Sequence, residues 1–379
     1  MRGRKAFVRV LAATVGVLAL SALSPAGAQQ AVIPVGQSIV LSGPQAANGV
    51  LYAKGIRLHV DAVNAAGGVG GRQIKIIALD DAYDPEKGKE NTRRLLEQDK
   101  VVALFGYTGT GITAASAPLA EAARVPLLAP LTGAPELREK AGRSLFFVRG
   151  SYLDELNKMA EFLAATGVRD IAVVYQDDGF GRSALKSAEA ALTAHGLKPM
   201  LAAALTGKDY DATKAVAEVA AKAPAAVILA TAGNASVNFI RGYRAAGKNA
   251  QFFGLSVVSS GQLLKDLGSG ADGVVISQVV PSPWAKSTQL AREFNRDAEA
   301  AGETDLNHTT LEGYIAARVL VEALRRAAPE VTAERVTQAL EGMRKYSVGG
   351  YEVSFAPDQR AGSQFVDLSL VRSTGRYVQ

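Results

Sequence analysis

Between residues 33 and 280, short apolar runs rich in Val, Ile, Leu and Phe alternate with longer segments whose apolar positions recur every three or four residues. A short apolar run bounded by Gly, Pro or Asp reads as a buried strand, and the three-to-four spacing reads as an amphipathic helix. Strands are thus predicted over 35–41, 74–79, 101–105, 125–128, 145–148, 171–175, 227–230, 252–255 and 274–279. Helices are predicted over 53–65, 85–98, 113–123, 154–166, 183–194, 211–221 and 236–246. Repeated strand-helix-strand order predicts an α/β fold with parallel sheets covered by helices on both faces, since a parallel crossover needs a helix to return the chain. Right-handed crossovers then gather the loops after the strands at one edge.

After Pro281 the pattern turns helical, over 290–301, 310–327 and 332–340, and ends in strand-like 351–355 and 365–371. No Pro/Gly/Ser-rich or low-complexity segment separates the halves, and no internal period marks a solenoid. The reading is two doubly wound lobes joined by several crossings. The first lobe is expected from 29–149 and 281–349, the second from 150–280 and 350–379.

Residues 1–28 interrupt this pattern. Arg2, Arg4, Lys5 and Arg9 precede an apolar run from Val10 to Leu23, then Pro25 and the small-residue end Ala26-Gly27-Ala28. That is the make-up of a secretory leader cleaved before Gln29, which predicts a periplasmic mature protein. A membrane-spanning helix needs about 20 continuous apolar residues, and this run is shorter and broken by Thr14, Gly16 and Ser21. The leader also accounts for most of the formal charge of +6. Without its four bases, 38 Lys and Arg face 36 Asp and Glu. The remaining bases alternate with acids and form no stripe interleaved with aromatics, so nucleic acid is not an expected partner. With no cysteine, neither disulfides nor a cysteine-bound metal contributes to stability.

Catalytic chemistry finds no foothold. His59, His195 and His308 lack metal-ligand spacing, no serine sits in a Gly-x-Ser-x-Gly elbow, and no nucleotide signature occurs, so neither an enzyme nor a cofactor is expected. Asp80-Asp81, before Pro85, reads as loop fixation and helix capping. Two loops carry binding chemistry. Gly106-Tyr107-Thr108-Gly109-Thr110-Gly111 joins a predicted strand to a predicted helix, where exposed N–H groups can hold a carboxylate or another polar ligand. Ala129-Pro130-Leu131-Thr132-Gly133 follows the next strand. Consecutive loops of a parallel sheet can share one crevice, which would let Thr110 and Thr132 donate to one bound group; two ordinary turns are the alternative.

The chain resembles type I periplasmic solute-binding proteins of ABC importers, of the Leu/Ile/Val-binding family. The resemblance rests on LSGPQA (41–46), DAVNAAGGVGGRQIKI (61–76), DDAYDP (80–85), LFGYTGTG (104–111), PLLAPLTGAPEL (126–137), VRGSYLDE (148–155), VVYQDDGFGRSAL (173–185), FIRGYRAAG (239–247), VVISQVVPSPW (274–284) and LEGYIAARVLVEAL (311–324). It implies two lobes closing on a solute, with Gly109, Thr110, Pro130, Leu131 and Thr132 at a first-lobe carboxylate site and Gln45 and Tyr107 close by. Tyr152, Asp154, Phe180, Asn234 and Ser256 are implied on the second lobe, and Trp284 falls at an interlobe crossing. Separate permease and ATPase subunits are the implied partners, and the protein itself is expected to be a monomer.

One departure decides the expected ligand. Members that bind α-amino acids hold the ammonium with an acidic side chain and a tyrosine at second-lobe strand ends; here those positions are Ser256 and Ala232. A desolvated ammonium without a counter-charge is unfavourable. The expectation is therefore a small carboxylate solute without an α-ammonium, an aromatic or aliphatic organic acid. Branched-chain amino-acid binding, with Asp154 supplying the charge, and presentation of a ligand to a sensor are the alternatives.

Overall fold

A computed structural model describes residues 32–207, 209–372 and 377–378, so the leader lies outside the described residues. The first lobe runs β1 (Ile33–Ile39), α1 (Ala46–Ala65), β2 (Ile74–Asp80), α2 (Pro85–Glu97), β3 (Ala103–Phe105), α3 (Thr110–Ala123), β4 (Leu127–Leu128), α4 (Pro135–Glu139) and β5 (Leu145–Phe146). The second continues with α5 (Tyr152–Ala165), β6 (Ile171–Gln176), α6 (Gly179–Ala194), β7 (Leu201–Leu205), α7 (Thr213–Lys222), β8 (Ala226–Ala230), α8 (Gly233–Ala245), β9 (Gln251–Gly254), α9 (Ser260–Leu267) and β10 (Val275–Gln278). The remainder is α10 (Gln289–Ala300), α11 (His308–Ala327), α12 (Ala333–Glu341), β11 (Tyr346–Val348), β12 (Tyr351–Val353), β13 (Asp367–Val371) and β14 (Tyr377–Val378).

The first sheet, in the order β2-β1-β3-β4-β5, is parallel throughout. The second, β14-β13-β10-β9-β8-β6-β7, is parallel except for its last two strands. Central β3 and β8 are buried along their whole length, as strands covered on both faces must be, whereas edge strand β2 exposes Lys75. Chain reversal in each sheet occurs beside β1 and β3 in the first and beside β6 and β8 in the second. Crevices form outside the carboxyl ends of strands at such points.

Caps set the helix starts. Asp84 accepts from the N–H groups of Glu86 and Lys87 ahead of α2, and Ser151 and Asp154 cap α5 reciprocally. Helices α10 and α11 return to the first lobe, where Leu290, Phe294 and Tyr314 join the core around Val35 and Phe105. Close packing of α1 on α11 depends on Gly55, because a Cβ there would stand 1.8 Å from the Thr310 carbonyl oxygen.

Two findings differ from the sequence reading. Tyr351, Val353 and Phe355 pack into the first-lobe core, and Phe147 N donates to Arg360 O at 2.8 Å, so the final return to the second lobe comes after Arg360 and not at 350. Strand β7 was not expected: its alanines have little strand preference, and it forms as an edge strand by pairing with β6.

Candidate functional site

The two crevices face each other and enclose a cavity of about 30 Å3, room for roughly one or two waters. Val40, Leu131, Phe180 and Val257 supply its apolar wall, and Gln45, Asn48, Tyr83, Thr108, Thr110 and Tyr152 its polar groups. These residues follow β1, β2, β3 and β4 in one lobe and β6, β8 and β9 in the other, or begin helices at the cleft. Hydrogen bonds clasp the lobes beside it: Asn48 Nδ2 donates to Val257 O at 2.6 Å, and Ser183 Oγ to Glu136 Oε2 at 2.8 Å.

Helix α3 opens into the cavity at Gly109, whose φ of 99° lies in the left-handed region and whose Cα leaves no room for a Cβ against Tyr83, 2.9 Å away. No side chain caps this end. Across the cavity, α8 starts at Ala232, also without a side-chain cap. First-turn N–H groups lack intrahelical acceptors, and each helix start carries partial positive charge. Both starts, together with the likewise uncapped start of α1 at Gln45, border one cavity whose lining, among the described residues, contains no Asp, Glu, Lys or Arg.

Behind the cavity wall, Thr110 Oγ1 and Thr132 Oγ1 share a hydrogen bond of 2.7 Å. Burial raises the Tyr152 pKa, partly offset by Arg149 and Thr132, so the phenol stays neutral. Its ring meets Phe180 edge-on at 5.3 Å.

Of the residues singled out in the sequence, Gln45, Gly109, Thr110, Leu131, Tyr152 and Phe180 meet at this cavity. Thr132 stands one bond behind it. The others lie elsewhere. Tyr107 is fully buried, its hydroxyl 2.9 Å from Thr92 Oγ1, and Pro130 is buried in the loop behind Leu131. Asp154 Oδ2 accepts from Ser151 N at 2.8 Å and Ser151 Oγ at 2.7 Å, so its carboxylate serves the helix cap. Asn234 is exposed in a separate groove of about 680 Å3, where its Oδ1 accepts from Gln262. Trp284 packs edge-on against His308 at 5.3 Å, away from the cavity. Asp80 and Asp81 fix loops, accepting from Leu41 N at 2.9 Å and from Ser38 Oγ at 2.8 Å respectively.

Ser256 belongs to a cluster at the lobe junction. Arg149, fully buried in the first crossing, pairs with Glu155 at 3.1 Å and Glu312 at 3.3 Å and donates to Ser256 Oγ. Glu155 also accepts from Ser256 N at 2.7 Å and Ser277 Oγ at 2.6 Å. Burial works against charge on the guanidinium, but the two carboxylates outweigh it and raise the Arg149 pKa. Burial pushes Glu312 up to about 7 against the pull of Arg149, with Glu155 adding repulsion. Tyr351 spans the two neighbouring crossings, donating to Val148 O at 2.8 Å and reaching Val279 O at 3.2 Å.

Asn48, Tyr83, Thr108 and Val257 were not singled out as site residues. Asn48 had a sequence signal: it lies three residues after Gln45, on the same face of a helix start. Thr108 closes the first lobe's crevice by accepting from Val40 N at 2.9 Å.

A sequence model for periplasmic binding proteins matches residues 32–374. The chain belongs to the periplasmic binding protein family. Among the relatives of this binding protein, Leu/Ile/Val-binding protein homolog 7 of Brucella abortus (strain 2308) is 27% identical over 349 residues, covering 86% of each chain. The crystal structure of a substrate-binding periplasmic protein from Ralstonia solanacearum superposes with a TM-score of 0.86 at 36% identity, covering 92% of this chain and 99% of that one. An extracellular ligand-binding receptor from Verminephrobacter eiseniae matches at a TM-score of 0.85 and 27% identity, covering 92% and 100%. The family and these relatives are binding proteins rather than enzymes. Among the described residues of this periplasmic binding protein, no helix is long and apolar enough to cross a membrane.

Proposed function

We propose that the protein captures a small carboxylate-containing organic acid, aromatic or aliphatic, in the periplasm and hands it to a separate ABC permease and ATPase. One observation carries this reading: the uncapped starts of α3 and α8 border a cavity lined, among the described residues, by no ionisable acid or base other than two neutral tyrosines. Such an environment favours an anion and offers an ammonium no counter-charge. The solute enters when the lobes part, and they close on it less fully than here, where the cavity has room for only about one or two waters. It gains contacts from both only on closure, so binding and closure are linked.

A branched-chain amino acid is the second reading, favoured by the name of the Brucella relative. Its ammonium would need a carboxylate, yet Asp154 is engaged by Ser151, and Glu155 by Arg149, Ser256 and Ser277. Calorimetric titration of refolded protein with 4-methylpentanoate against leucine, and 3-phenylpropanoate against phenylalanine, separates the two. Tighter binding of the member without the amine is expected in each pair. Consistently tighter binding of the amino acids would overturn the proposal in favour of the second reading.

A further inference from the structure

The start of α1 presents two carboxamides to the cavity, Gln45 at the N-cap and Asn48 three residues on, a spacing that puts both on one helix face. Gln45 is 6% exposed and Asn48 8%. Gln45 Nε2, a donor, and Asn48 Oδ1, an acceptor, are both buried without a hydrogen-bond partner among the described residues. The orientation of Asn48 follows from its other end. Nδ2 donates to the Val257 carbonyl, which can only accept, so Oδ1 must point away from that bond.

Buried side-chain polar atoms are paired in the large majority of cases, so an unpaired donor and an unpaired acceptor in one cavity wall call for a group that satisfies both. A hydroxyl does, accepting from Gln45 and donating to Asn48. An ether or keto oxygen leaves Asn48 unpaired, an ammonium leaves Gln45 unpaired, and a methyl group leaves both. We infer that the solute is a hydroxylated carboxylic acid, its hydroxyl held by Gln45 and Asn48 and its carboxylate by the starts of α3 and α8. This rests on the carboxylate reading above and narrows it.

The test titrates refolded wild type, Gln45→Met and Asn48→Leu with 4-hydroxyphenylacetate, 4-methoxyphenylacetate and phenylacetate, and with 3-hydroxy-3-methylbutanoate and 3-methylbutanoate. In at least one series the hydroxylated acid is expected to bind the wild type about tenfold or more tighter than its counterparts, because a site built around a hydroxyl rejects analogues lacking it. Gln45→Met should erase that ratio. Asn48→Leu also loses the bond to Val257 and should weaken every acid, so the ratio, not the affinity, is read. Equal binding of hydroxylated and unhydroxylated acids would overturn the inference alone, as would a hydroxyl preference that survives both variants. Failure of every carboxylate to bind would overturn the carboxylate reading and this inference with it.

Discussion

Arg149 and Glu312 approach to 3.3 Å where the lobes join, one in the first crossing and the other on α11 of the first lobe. Glu155, on α5 of the second lobe, holds the same guanidinium at 3.1 Å. One buried cation is therefore shared by acids from both sides of the hinge. Breaking a buried ion pair by removing one partner typically costs about 3–5 kcal/mol, because the remaining charge is stranded. Arg149→Met should lower the unfolding free energy by about that amount. Arg149→Lys should not restore it, since an ammonium lacks the planar fork that reaches two carboxylates. Urea denaturation followed by circular dichroism reads both variants, and an unchanged midpoint in Arg149→Met would contradict the role assigned to the cluster.

The same cluster gives stability a pH dependence. Glu312 is pushed from 4.5 to about 7 in the folded protein, first by burial. Below pH 4.5 the carboxyl is protonated in both states, and between 4.5 and 7 the unfolded chain releases the proton while the folded protein keeps it. The contribution of Glu312 is thus fully present below the lower value and is lost as pH rises through the upper one, at up to ~1.4 kcal/mol per unit. The difference in unfolding free energy between wild type and Glu312→Gln should fall across this window. A flat difference would show that Glu312 titrates as in the unfolded chain and a rising one that its pKa is lowered, and either would contradict the shift.

Thr110 and Thr132 share a 2.7 Å hydrogen bond beside the start of α3. Each change to Ala should weaken binding of a confirmed carboxylate by about 1–3 kcal/mol, the usual cost of leaving a buried partner unsatisfied. The double variant should lose less than the sum, because the hydroxyls act through one bond. Wild-type affinity in both folded single variants, measured by calorimetry, would remove the pair from the site.

The alternation of strands and helices was legible because each buried strand must be continuously apolar and each crossover helix periodic. Helix starts were less so. Helix α1 begins at Ala46, α3 at Thr110, α6 at Gly179 and α8 at Gly233, each several residues before the predicted start. Those first turns face the cleft, so they carry Gln, Asn, Thr and Gly in place of the core residues that make a period visible. Thr110 and Gly109 could still be recognised, because a glycine-rich turn after a strand advertises exposed N–H groups. Val257 could not: its place in the cavity depends on how the two lobes meet. Asp154 and Ser256 bear the right chemistry for a ligand contact, but a helix cap and a buried arginine had already claimed them, and those competing partners become visible only in three dimensions.

The charge preference of the cleft is tested most directly by titrating refolded protein with carboxylates and their primary amides, which keep shape and remove the charge. The pairs are 4-methylpentanoate with 4-methylpentanamide and 3-phenylpropanoate with 3-phenylpropanamide. Hydrogen bonds to a charged group and the partial positive charge of two helix starts together favour the anion, so each acid that binds should do so at least about tenfold more tightly than its amide. Equal or tighter binding of the amides would contradict an anion site at the starts of α3 and α8.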